Sequence, residues 1–146
     1  MPTAARAVAA FIMALMGAAA AHYILPLVHD DTIIPYFPYF SGFLGAVTGW
    51  ISVGRRIDQR KYGSLSAGLT GSALFAFWFV FFQVSYRVLQ FALRGRFRRN
   101  GDAFDEFVGW FIEYSALLLT FEMLGVLLSG GIVAGAVANI ASKYWK

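Results

Sequence analysis

Apolar residues fall along this chain in long runs, and the charged residues collect between them. The first run, AVAAFIMALMGAAAAHYILPLV at 7–28, follows Arg6. A helix rises 1.5 Å per residue, so ~20 residues cross a hydrocarbon core ~30 Å thick. The run therefore predicts a spanning helix over 5–27, ended or kinked by Pro26. Arg6, a short apolar core and the alanines at 18–21 also fit a secretory signal with an A-x-A cleavage site. Apolarity continues past that cut through Tyr23, Ile24 and Leu25, which favours a retained helix.

HDDTIIPYFPYF (29–40) has two acids, no Lys or Arg and four aromatics after the first proline, and reads as a short loop at headgroup level. Pro38 suits the first turn of a second helix. That helix is expected over 37–54 and contains Gly45-x-x-x-Gly49, a spacing that lets two backbones approach closely. The basic loop GRRIDQRKYGS (54–64) leads to a third span over 66–93. Late in that span Gln83, Arg87, Gln90 and Arg94 share one face, which predicts a wet stripe. Arg87 is set about 19 residues after Gly68, near the far interface, where an arginine snorkels.

LRGRFRRNGDAFDEF (93–107) packs Arg94, Arg96, Arg98 and Arg99 before Asp102, Asp105 and Glu106. An amphipathic helix over 102–118 follows. Asp102, Asp105, Glu106, Gly109 and Glu113 share its polar face, and Phe104, Phe107, Val108, Phe111, Ile112 and Ser115 its other face. Asp102 is the expected N-cap, and the helix is expected to lie in the interface. A last span over 121–142 carries Gly131-x-x-x-Gly135 and ends in SKYWK. The pattern predicts an all-α integral membrane protein. It is one membrane domain over 1–146, with four transmembrane helices and an amphipathic interfacial helix before the last span.

Composition sharpens this picture. Of 146 residues, 59% are hydrophobic and 14% charged, and mean hydropathy is +0.62, too apolar for a soluble domain of this length. The absence of cysteine excludes disulfides, thiolate metal sites and a cysteine nucleophile. With four spans, Arg6, Arg55, Arg56, Arg60, Lys61, Lys143 and Lys146 share one side, and Arg94, Arg96, Arg98 and Arg99 the other. The richer side is expected in the cytoplasm, with both termini, in a bacterial inner membrane.

The arginine run reads first as a headgroup anchor, its guanidiniums meeting lipid phosphates and neighbouring carboxylates. Docking of a partner protein and a small-anion site are the alternatives. Arg87, Arg94, Arg96, Arg98 and Arg99 are the candidate lipid or partner contacts; no motif points to nucleic acid. Gly45, Gly49, Gly131 and Gly135 are the candidate packing residues, within the bundle or toward a homo-oligomer or membrane partner.

Chemistry is sparse. His22, in Ala18-x-x-x-His22, has the small-residue-then-histidine spacing of helices that ligate bacteriochlorophyll; an interfacial histidine is the simpler reading. His29 with Asp30 and Asp31 is read as a solvated loop rather than a metal site. Glu113 and Glu122 are expected to pair with Arg87 or the arginine run. FAFWFVFF (75–82) is expected to face lipid rather than line a quinone or pigment groove. No nucleophile constellation, phosphate loop or metal spacing is present, so neither enzyme activity nor a cofactor is expected.

MPTAARAVAA at the start, GW and GRR around the second helix (Gly49, Trp50, Gly54, Arg55, Arg56), YG and GLT (Tyr62, Gly63, Gly68–Thr70), the arginine run and VLLSGGIVAG (126–135) come in a fixed order. In that order the chain resembles TrgA-like proteins, small inner-membrane proteins of alphaproteobacteria named for an association with tellurite resistance. The resemblance implies a contribution to tolerance of tellurium oxyanions, indirect and without a catalytic residue to carry over. The alternative is an accessory or assembly subunit of a respiratory or photosynthetic membrane complex.

Overall fold

The computed structural model describes residues 4–27, 36–59, 63–96, 98–99 and 101–145. Every element among them is helical: α1 (Ala4–Ile24) with a 3-10 turn (Leu25–Leu27), α2 (Phe37–Thr48), a π-helical segment (Gly49–Gly54), α3 (Arg55–Asp58), α4 (Ser64–Leu93), α5 (Asp102–Leu118) and α6 (Phe121–Tyr144). Three of them, α1, α4 and α6, are long and apolar enough to cross a membrane. The segment expected as a further span over 37–54 is instead α-helix, π turn and α-helix in unbroken succession. Pro26 falls in the 3-10 turn that ends α1, and Pro38 in the first turn of α2.

Small residues decide how the helices meet. α1 buries Ala5, Ala9, Met13, Met16, Gly17, Ala20, Ala21 and Ile24, a single face at helical period. α2 runs antiparallel against it: Gly45 faces the Met13 carbonyl, Gly49 faces Ala9, and Gly54 faces Arg6. The Ser41 hydroxyl donates to the Gly17 carbonyl at 2.6 Å. The spacing Ser41, Gly45, Gly49, Gly54 steps by four, four and five residues. An α-helix would turn the last of these off the face, and the wider π turn keeps it on.

α6 meets α4 in the same manner. Gly68 faces Gly131, Gly135 faces Ser64, and the Ser72 hydroxyl donates to the Leu127 carbonyl at 2.8 Å. These pairings make α4 and α6 antiparallel. Gly17 beside Phe75 and Met13 beside Gly71 make α1 and α4 parallel. Phe75, Phe79, Met13, Val53 and Val80 fill the centre.

The register has one consequence for the site. With Ser72 opposite Leu127, the start of α6 comes level with about residue 78 of α4. The rest of α4 therefore runs some 15 residues, roughly 22 Å, past it. α5 packs on this extension.

Candidate functional site

The extension of α4 ends in a turn that its sequence specifies. Gly95 has φ 66, and its N–H reaches the Ala92 carbonyl while the Arg96 N–H reaches Phe91, the paired bonds of a glycine C-cap. Arg94, Arg96, Arg98 and Arg99 are all exposed there. The Arg96 guanidinium lies 5.1 Å from the Phe91 ring centre. Asp102 is the first residue of α5 rather than its N-cap, which is Gly101; its carboxylate accepts from the Arg99 N–H at 3.1 Å. The helix begins one residue early because this bond folds the carboxylate back over the preceding turn. A groove of about 360 Å³ lies among Phe91, Arg96, Asp102, Asp105 and Glu106.

Below this tip Arg87 sits in an aromatic enclosure. Its guanidinium is 4.4 Å from the Trp110 ring centre, 5.9 Å from Tyr114 and 6.0 Å from Phe91. Arg87 Nε and the Tyr114 hydroxyl are both buried without a hydrogen-bond partner. The expected wet stripe is thus dry at its inner end, where Gln83 is buried and α5 covers Arg87. Gln90 keeps a polar contact, donating to the Tyr86 hydroxyl at 3.0 Å.

α5 grips α4 through two rows. Phe107 and Phe111 meet Phe81 and Phe77, while Trp110 and Tyr114 meet Phe91 and Arg87. A shift of three residues on α5 corresponds to about ten on α4, or ~15 Å, so the helices cross steeply. The sequence reading merged two apolar faces of α5. Phe107, Trp110, Phe111, Tyr114 and Leu118 face protein, whereas Phe104, Val108 and Ile112 are exposed in a neighbouring stripe.

The remaining candidates separate. Glu113 and Glu122 are exposed, and neither is paired with Arg87. His22 is exposed on the last turn of α1, and no group of three metal-ligating side chains occurs among the described residues. His29, Asp30, Asp31, Arg60, Lys61 and Lys146 lie outside the described residues. No family model, curated protein or solved structure matches the chain. The run 75–82 has three fates: Phe75 and Phe79 are core, Phe77 and Phe81 hold α5, and Trp78 and Phe82 line an apolar groove between α2 and α4.

Sequence reasoning missed the aromatic enclosure of Arg87 and the orphaned Tyr114 hydroxyl. A signal was present: Phe107, Trp110, Phe111, Tyr114 and Leu118 recur at three- and four-residue steps, and Arg87 interrupts an apolar helix.

Proposed function

We propose that the chain is a bacterial inner-membrane protein with four crossings and cytoplasmic termini. In this reading it contributes, indirectly and without catalysis, to tolerance of tellurium oxyanions. The observation that carries the placement is the charge at the two ends of the bundle. Arg6, Arg55, Arg56 and Lys143 gather at one end. At the other stand Arg87, Arg94, Arg96, Arg98 and Arg99. With Arg60, Lys61 and Lys146 of the adjoining sequence the first end carries seven Lys and Arg against five, and the end richer in Lys and Arg is retained in the cytoplasm.

The fourth crossing is supported by register. The 37–58 run lies beside α1 from Ser41 opposite Gly17 to Gly54 opposite Arg6, so a slab that α1 crosses contains it too. The three faces of α5 (protein-facing, apolar-exposed and acidic) support a position at the outer headgroups, where Phe104, Val108 and Ile112 enter acyl chains and the acids meet water. The exposed arginines beside them then contact lipid phosphates.

The tellurite role rests on the TrgA-like order of residues. Deleting the gene should lower the tellurite concentration at which cells grow, and the wild-type copy should restore it; unchanged sensitivity would overturn the reading. The accessory-subunit alternative rests on the absence of chemistry, an amphipathic arm and two glycine seams available to a partner. Both seams are occupied within the chain, by α1 and α4, so the first reading is preferred.

A further inference from the structure

Arg87 carries a charge that no described residue neutralises. Its guanidinium lies over the Trp110 ring, with Tyr114 and Phe91 to the sides. Aromatic rings cover the faces of a guanidinium and leave its in-plane N–H donors unclaimed. Arg87 makes no ion pair and no hydrogen bond among the described residues, and its Nε is buried without an acceptor. The Tyr114 hydroxyl, on a residue 2% exposed, is buried and unbonded as well. One of these donors comes from α4 and the other from α5. Burying two donors without an acceptor is costly, and holding a cation there without an anion adds to the cost. Arg87 is part-exposed, which gives an anion access from the seam between the two helices. Arg94, two turns further along the same face of α4, is exposed and adds positive charge on the approach.

We propose that Arg87 and Tyr114 form a binding site for one oxyanion of the phosphate type, with Trp110 as its aromatic backing. The guanidinium supplies the charge and a fork of parallel donors, and the Tyr114 hydroxyl donates to a further oxygen. A halide has a single centre to share among these donors. An oxyanion has separate oxygens for donors on two helices. Bound there, it ties α5 to α4. A lipid headgroup and free phosphate offer the same chemistry, and the experiment separates them. The inference depends on neither the number of crossings nor the tellurite role.

The test uses the full-length protein, delipidated in a neutral detergent and a phosphate-free buffer. Trp50, Trp78 and Trp145, all exposed, are exchanged for Phe so that Trp110 alone reports. Inorganic phosphate and a short-chain phosphatidylglycerol are titrated separately at constant ionic strength set with chloride. Trp110 emission should shift saturably. Saturation by inorganic phosphate supports a site open to a free anion, and saturation by the lipid alone supports a headgroup site; both uphold the oxyanion site. Tyr114→Phe removes one oxygen, keeps the ring and should weaken binding about fivefold. Arg87→Lys keeps the charge, loses the fork and should weaken it about tenfold. Arg55→Gln, at the opposite end of the bundle, should leave it unchanged. No saturable shift with either ligand, or wild-type affinity in both the Tyr114 and Arg87 variants, would overturn the proposal. So would equal weakening by Arg55→Gln and Arg87→Lys, the mark of general attraction to a basic protein.

Discussion

At the scale of single residues, the glycines divide into two classes that sequence alone does not separate. A Cβ added at Gly68 would collide with the Gly131 backbone, and one at Gly45 with the Met13 carbonyl. Backbone cannot give way cheaply, so Gly68→Ala or Gly45→Ala should destabilise the bundle by about 1–3 kcal/mol. Gly109 and Gly125 have open space around the corresponding position. Alanine there should be neutral or should stabilise by up to ~1 kcal/mol, because glycine disfavours helix. Thermal unfolding of the four variants in detergent checks the contrast, and equal effects would refute the pairing of α4 with α6. Gly95 differs again: its positive φ, not its space, restricts it, and Gly95→Ala should cost about 1 kcal/mol at the α4 terminus. Arg87→Leu tests the enclosure. Loss of the contact with Trp110 should lower stability by ~0.5–2 kcal/mol and shift tryptophan emission, with Arg87→Lys intermediate. No change in either readout would show that Arg87 is free.

At the scale of elements, α5 and the 37–58 run carry the most information. If α5 lies in the outer interface, a spin label at Ile112 should be relaxed by oxygen from the lipid, and one at Glu113 by a water-soluble paramagnet. Both labels reporting water would contradict that position. The π turn makes a prediction of its own. Deleting exposed Trp50 within it restores four-residue spacing between Gly49 and Gly54, so the fold should survive. Deleting Val47 puts Gly49 and Gly54 off the face toward α1 and should not be tolerated; the yield of folded protein in membranes separates the two.

The limits of α5, expected over 102–118, were legible because acids, glycine and aromatics alternate at helical period there. Which apolar face meets protein was not legible, since lipid and protein interior are equally apolar to a pattern. The fate of Phe77, Phe81 and Phe104 therefore needed the neighbouring helix. The π turn was half visible: the step from Gly49 to Gly54 was in the sequence, but its meaning depends on α1 lying opposite. Charge pairing was read wrongly for Arg87 because a pattern search looks for carboxylates, and here aromatic rings surround the cation.

At the scale of the molecule, the central claim is that four helical runs cross the membrane with the basic end inside. The chain has no cysteine, so single cysteines report without background. Ala7→Cys, Gln59→Cys, Arg99→Cys and Tyr144→Cys, all at exposed positions, mark the two ends and the connection after the 37–58 run. Labelling by a membrane-impermeant maleimide in intact cells should reach residue 99 alone, and residues 7, 59 and 144 only after permeabilisation. If the 37–58 run did not cross, residues 7 and 99 would label together, and residues 59 and 144 would label together on the opposite side. That result would contradict the four-crossing account.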